Sequence, residues 1–444
     1  MKGYSMNNFN KSGGWKVLAK AALVLTVLLS PIGAHAKDDD KPGALYIQTN
    51  EVNNFIIHYA RKNNGKLVEI DRVGTGGKGS GTFKPITGQE SAPNAFEGVG
   101  SVILSPNHKY LFATNGGDNT VSSFKVGRDG SLTLLDVQPT GQAVTGRSGT
   151  AKSLAYSPKH DVLYVEHSFG PDHIRLFNVK KGKLEPRSEQ YTVNTGTKID
   201  RVPTQIVLTP DGKYLMTDIL FDNRPIANPD GSVQLAVANV DDKDGLVIFP
   251  VNNDGSLGSP SFTDGGGAAP FVITFLNKSK DTFINGLAAA GGLVLGKIDS
   301  DGKVTNSPVV PINQSQGFPS ELCWLSITPD NKFVFATVFG YSYVSSYSLI
   351  DGVLQVAKDP AAPTVPGDGT FRALDNLVSS GPSDSFVSPD GEYFYQIYAN
   401  ASKLVAYKLG KKANEHGDDR RDGSLIEIDE QTIPYTSPQG MAGF

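Results

Sequence analysis

Between Val99 and Gly141 the chain alternates short runs of Val, Leu, Ile, Phe, Tyr and Thr with turn residues. Apolar runs of this length, broken by turn chemistry, are the signature of antiparallel strands. Four strands are predicted: A over Ser101 to Leu104, B over Tyr110 to Thr114, C over Thr120 to Val126 and D over Leu132 to Gln138. Ser105-Pro106-Asn107 turns A into B, because proline presets φ and asparagine tolerates tight turn positions. Asp129-Gly130 folds C onto D, since both turn positions accept positive φ.

One such sheet cannot bury its own faces, so the number of copies matters. The C-to-D turn occurs seven times, with its glycine at Gly65, Gly130, Gly182, Gly255, Gly302, Gly352 and Gly423. The A-to-B turn occurs only six times, at Ser105-Pro106, Ser157-Pro158, Thr209-Pro210, a degenerate Asn277-Lys278, Thr328-Pro329 and Ser388-Pro389. The mismatch is explained if the repeat region starts at a strand B, Ala44 to Thr49, and closes with a strand A, Pro438 to Phe444. The expected fold is all-β: a single seven-bladed β-propeller over residues 44–444, its ring closed by the C-terminal strand pairing into the N-terminal blade. Closure removes a sheet edge that would otherwise be open to pairing with another chain.

Residues 1–36 read as a secretory signal peptide. Lys11, Lys16 and Lys20 form a basic start, Ala21 to Leu29 is an apolar run too short to span a bilayer, and Ala34-His35-Ala36 is a small-x-small cleavage site. Residues 37–43, with three consecutive aspartates, are expected to be a disordered mature N-terminus. The signal segment holds four lysines and no acid, so its removal moves the formal net charge from −4 to about −8. A mildly acidic chain without a Lys/Arg-rich run argues against nucleic acid or an anionic membrane as partner. The expectation is a periplasmic or secreted monomer without membrane insertion. The single cysteine, Cys323, excludes an internal disulfide and a cysteine zinc site, and the seven histidines show no HxxxH or HxH spacing. No cofactor is expected.

Three segments depart from the repeat. Gly74 to Glu97 is a Gly-rich connection into blade two, but it lacks GxxxxGK[ST] and no helix follows it. Asp218 to Asp244 is an insertion in blade four, whose middle, Val233 to Val240, has the apolar content of an extra strand or a lid; its acids lack EF-hand spacing. Lys411 to Asp422 in blade seven reads as an exposed, mobile loop.

Because strands alternate in direction, the repeated A-to-B and C-to-D turns share one face of the ring. The variable B-to-C loops and D-to-A crossings share the other, around the mouth of the central channel, and variable loops on a rigid frame are where binding groups gather. On that face Glu166-His167, at the end of an apolar strand B, places a carboxylate beside an imidazole, the pair expected to act as general acid and base. Adjacent residues on a strand point to opposite faces, however. Arg147 and Arg201, in the crossings that flank blade three, are candidate binders of a ligand carboxylate or phosphate, with salt bridges to Asp200, Glu97 or Glu321 as the structural alternative. Glu51, Asn115 and Glu321 complete the expected substrate-binding set.

The repeat LSPxxxYLFATN…NTVSSFKV…DGSLTLL resembles the seven-bladed lactonase β-propeller family, which includes phosphogluconolactonase and the carboxymuconate lactonising enzymes. The resemblance runs from Leu45 to Phe444 and implies a metal-free propeller that makes or opens lactones of small acidic substrates with His, Arg and Glu at the channel mouth. Asn50-Glu51 matches the family's Asn-Glu exit from strand B. The family's His-Pro-Arg-His segment has no counterpart: blade three enters strand A with Arg147-Ser148-Gly149-Thr150. Three readings follow. One is a lactonase or cycloisomerase-like enzyme acting on a small organic acid or sugar lactone. Another is a non-catalytic envelope propeller binding a protein or glycan, through an aromatic patch including Phe339, Tyr341 and Tyr343. The last is a calcium-dependent lactonase using Glu97, Glu321 and Asp384.

Overall fold

A computed structural model describes residues 43–90, 92, 98–144, 146–227, 233–234, 243–312, 320–371, 378–413 and 419–444. The expected signal segment, Glu97 and residues 228–232 and 235–242 of the blade-four insertion lie outside the described residues. Seven antiparallel sheets, each built on four consecutive-neighbour strands, make up the domain. In blade two the strands run Val102–Leu104, Tyr110–Asn115, Thr120–Val126 and Leu132–Pro139, within a residue or so of the expected ranges.

Blade one is the exception in chain order. Its strands B, C and D are Gly43–Gln48, Phe55–Arg61 and Leu67–Gly74, and its strand A is Gln439–Gly443. Leu45 pairs with Gly443 and Ile47 with Met441. Each inner strand contacts the inner strand of the next blade all the way round, so the ring is closed. Blade five carries one additional short strand, Val310–Pro311, and the blade-four insertion contains a two-stranded hairpin of Ile226–Ala227 with Val233–Gln234.

The repeated turns have a physical reason. The glycine of every C-to-D turn has φ between 76° and 83°, a region closed to most side chains. At the A-to-B turns the Ser or Thr hydroxyl accepts the N–H of the residue five positions on: Tyr110 to Ser105 at 3.0 Å, Tyr214 to Thr209 at 3.1 Å, Phe333 to Thr328 at 3.0 Å and Tyr393 to Ser388 at 2.9 Å. The same hydroxyl donates to the Asn or Asp two residues after it, as Thr328 does to Asp330 at 2.7 Å. A small hydroxyl followed by proline and a carboxylate or amide is therefore a hydrogen-bonded corner.

The blades are held to one another by apolar seams. Seven clusters of buried residues are each shared mainly by two neighbouring blades, such as Leu45, Ile47 and Tyr59 of blade one with Tyr395, Ile397 and Leu404 of blade seven. Burying a Leu, Ile or Phe contributes roughly 1.5–3 kcal/mol, so these seams hold the blades without cross-links, and the buried Cys323 is in no disulfide. A tyrosine latch recurs at the seams: Tyr46 donates to Gly130 O at 2.6 Å, Tyr164 to Gly255 O at 2.7 Å and Tyr395 to Gly65 O at 2.9 Å.

Two expectations change. The charged excursion of blade seven is an extension of the hairpin: Lys411 pairs with Arg421, Lys412 with Arg420 and Ala413 with Asp419. The channel mouth on the variable face is also covered. Ile86 and Ala92 of the Gly-rich connection are buried in one apolar cluster with Phe221, Phe271, Trp324, Phe339 and Phe371, and the Trp324 indole donates to Gly98 O at 3.1 Å. Glycine lets this segment pass close to its neighbours, and its two apolar side chains then cap the axis. Among the described residues no helix is long and apolar enough to cross a membrane.

Candidate functional site

With the axis capped, a cleft opens beside it on the same variable face. It has a volume of about 500 Å³ and is lined from four connections. Asn119 comes from the B-to-C loop of blade two, Gly141 to Thr150 from the crossing into blade three, Phe169 to Asp172 from the B-to-C loop of blade three, and Arg224 from the start of the insertion.

Asn119 organises one wall. Its carbonyl oxygen accepts the N–H groups of Thr150 at 2.7 Å and Ala151 at 3.0 Å, and its amide donates to Ala143 O at 3.2 Å. Thr150 in turn donates to Gln142 Oε1 at 3.2 Å. On the facing side the Arg224 guanidinium lies on the Phe169 ring, its carbon 3.6 Å from the ring centroid, while Nε donates to Asp200 at 2.7 Å. Asp172 is the acid of the cleft and is paired with Arg175. Partial burial pushes the Asp172 carboxyl up, but the Arg175 bond and charge outweigh it and leave the group below its ordinary value, ionised at neutral pH.

None of the seven residues expected from the sequence lines this cleft. Glu166 and His167 are both fully buried and diverge as strand geometry requires. The Glu166 carboxylate accepts the Thr217 hydroxyl at 2.6 Å across the seam to blade four. Burial pushes its pKa up to about 7 against the opposing charge of Lys152 and the Thr217 bond. His167 has both ring nitrogens engaged, Nδ1 at 3.0 Å from His173 O and Nε2 at 2.8 Å from Thr140 Oγ1. Burial lowers its pKa to about 4, so it is neutral: Nδ1 donates and Nε2 accepts. Thr140 precedes the Gly141-Gln142 wall, so His167 props the cleft from beneath.

The arginines are committed elsewhere. Arg147 is exposed, pairs with Glu90 and lies over the Phe83 ring. Arg201 is fully buried, 3.1 Å from Asp222 and 2.9 Å from Asp244, which makes it an anchor for both ends of the blade-four insertion. Lys198 reinforces the same pair of aspartates at 2.9 and 2.6 Å. Asn115 bonds Thr120, Ser122 and Asn54 within the loop scaffold, Glu51 is half-buried with its carbonyl accepting Gly79 N–H, and Glu321 is buried in blade six with φ 46°. Phe339 and Tyr343 are buried, so the flat aromatic patch of the binding-module reading is not formed by them. Among the described residues no three His, Cys, Asp or Glu side chains are grouped to hold a metal ion.

Phe169, Asp172 and Arg224 escaped the sequence reading, although each sits in a variable connection on the predicted face. Their signal was positional only. Nothing in a linear sequence shows that Arg224 folds back over Phe169.

Residues 39–200 match the family described as Lactonase, 7-bladed beta-propeller. Over those residues the chain is similar to that family, as the repeat motif implied, and its architecture throughout is a seven-bladed β-propeller. The fold is shared with a Bacteroides fragilis protein solved as a candidate 6-phosphogluconolactonase (TM-score 0.63, 14% identity, 92% of this chain and 99% of that one). It is shared equally with the periplasmic gluconolactonase of Pseudomonas aeruginosa (TM-score 0.58, 14% identity, 90% of this chain and 98% of that one). A candidate 6-phosphogluconolactonase from Bacteroides uniformis gives a TM-score of 0.61 at 14% identity, with 91% of this chain and 100% of that one covered. No curated protein matches the chain.

Proposed function

We propose that this protein opens a small sugar-type lactone in the cleft over blades two to four, and that it does so outside the cytoplasm, in keeping with the signal-like segment 1–36. The observation that carries the reading is a carboxylate and a guanidinium, Asp172 and Arg224, lining one cleft of a lactonase-type ring. The gluconolactonase among its structural relatives supports the substrate class.

In this reading the terminal N–H groups of Arg224 take the lactone carbonyl oxygen and stabilise the negative charge that develops on it. Asp172, kept ionised by Arg175, accepts a proton from water as the water oxygen bonds to the acyl carbon. The ring C–O bond then breaks, the ring oxygen receives that proton, and the new carboxyl group releases the second water proton to solvent, leaving a hydroxyl and a carboxylate. His167 and Glu166 hold the wall and the blade seam and do not touch the substrate.

Hydrolysis of D-glucono-1,5-lactone by the purified protein, followed as acid release, tests this. Asp172→Asn is expected to lower kcat/KM by about 10²-fold or more at an unchanged melting temperature. Glu166→Gln keeps the Thr217 bond and is expected to leave turnover in place. Loss of turnover in Glu166→Gln at an unchanged melting temperature, with Asp172→Asn fully active, would return the chemistry to the residue first read from the sequence. Absence of turnover across a panel of lactones would end the enzymatic reading.

A further inference from the structure

We propose that the cleft is selective for a carboxylate, with Arg224 as the specificity-determining residue, so that the ring-opened hydroxy acid binds more tightly than the neutral lactone. This rests on the reading of the cleft as the substrate site and names the ligand class of that site.

Arg224 offers two edges. Nε is donated to Asp200 Oδ1, and among the described residues no partner takes the two terminal nitrogens. The end of the fork, the edge that fits a carboxylate bidentately, thus remains for a ligand in the cleft it lines. Stacking on Phe169 holds the plane of the guanidinium in advance, so little side-chain freedom is lost when an anion binds. Both members of the Arg224–Asp200 pair are 39% exposed. A pair so wet does little to cancel the attraction of Arg224 for an anion.

The remaining lining is short of charge. Asp172 is matched by Arg175, and Arg147, the nearby guanidinium of the crossing, is turned onto Glu90 and Phe83. Gln142, Ser148 and Thr150 supply an amide and hydroxyls to line a polyol chain, while the Asn119 amide is taken up in holding the wall. With the Asp172 charge offset by Arg175, Arg224 is the one cation among the lining residues, which fits a monoanionic carboxylate and lacks the second cation that a phosphate dianion calls for. Hydrolysis then works against its own release. The carbonyl oxygen of a neutral lactone becomes one of the two oxygens of a carboxylate, and a guanidinium holds the charged form more strongly.

Calorimetric titration of the purified protein with D-gluconate, D-glucitol and 6-phosphogluconate at low salt tests the proposal. Gluconate is expected to bind, and glucitol, which lacks only the carboxylate, is expected to bind at least tenfold more weakly. Arg224→Gln is expected to weaken gluconate by about 10- to 100-fold, the range of one lost charge-assisted hydrogen bond. Arg224→Lys keeps the charge without the fork and is expected to fall between. Equal binding of gluconate and glucitol, unchanged binding in Arg224→Gln with its fold confirmed by an unchanged melting temperature, or tighter binding of 6-phosphogluconate than of gluconate would each overturn it. The measurement needs no turnover. A protein that binds gluconate through Arg224 yet opens no lactone sinks the hydrolase reading alone, and one that opens the lactone while ignoring gluconate sinks this one alone.

Discussion

Ile47 and Met441 lie opposite each other in adjacent strands of one sheet, although they come from the two ends of the repeat region. This pairing makes the first blade a joint product of both ends, and it is where the ring is most exposed to a single lesion. Ala442→Pro, one residue on at the hydrogen-bonded position facing Tyr46, removes a backbone donor from the ladder and, if the strand is displaced, uncovers the buried face of Ile47. The expected loss is about 1–3 kcal/mol per buried polar group left unpaired. Urea unfolding compared with Met441→Leu checks it; equal midpoints would show that the ring does not depend on this strand.

His167 gives a second prediction. With both nitrogens bonded and the ring fully buried, His167→Ala takes away the acceptor of the Thr140 hydroxyl and one of the two donors to the His173 carbonyl, which keeps the backbone N–H of residue 167 at 2.8 Å. The melting temperature should fall markedly, by the equivalent of about 2–5 kcal/mol for one unpaired hydroxyl donor and a cavity. A catalytic histidine would instead lose activity at constant stability, so thermal scans and lactone assays on the same sample separate the roles.

Arg201 is expected to behave as an anchor. Arg201→Met removes the buried partner of Asp222 and Asp244 while keeping much of the side-chain volume. Breaking a buried pair from one side costs about 3–5 kcal/mol, less what Lys198 recovers. Limited proteolysis should then cut first within residues 223–243, before the rest of the ring is attacked. Unchanged proteolysis and stability would return Arg201 to the list of ligand binders.

Asp384 supplies a pH test. Burial pushes its carboxyl from 3.8 up to about 7, partly offset by the backbone N–H groups of Gly440, Asp384 and Gly100. The folded state therefore holds a proton that the unfolded state has already released, and stability from this group falls as pH rises from about 4 to about 7. Asp384→Asn can still accept from Gly440 and does not titrate. Its stability relative to the parent should grow across that window, by a few kcal/mol at most, and then level off. A difference that stays flat from pH 4 to pH 8 would place the native carboxyl in the ordinary range. His167 and His173, both lowered to about 4 by burial, act in the opposite direction between about pH 4 and 6.5, which is why the variant comparison is informative and the parent curve alone is not.

The architecture was legible because it is written locally and repeatedly. A glycine at each C-to-D corner and a hydroxyl at most A-to-B corners act within five residues of themselves, so their chemistry survives in a linear reading. The count of corners then implied the shared blade of Ile47 and Met441. Glu166-His167 was found for the same local reason, but adjacency in a strand separates side chains, and burial against Thr217 and Thr140 fixed what each one does. Arg201 looked like a ligand binder until the insertion supplied its two aspartates.

What the sequence by itself determined was the number of blades, the closure of the ring and the face carrying the variable connections, since each depends on turn chemistry and apolar period. Only the tertiary structure decided that Ile86 and Ala92 cap the axis and that Phe169, Asp172 and Arg224 meet beside it. Those contacts join separate blades and an insertion, and the physical reason they cannot be read in advance is that a loop's path is set by what it packs against.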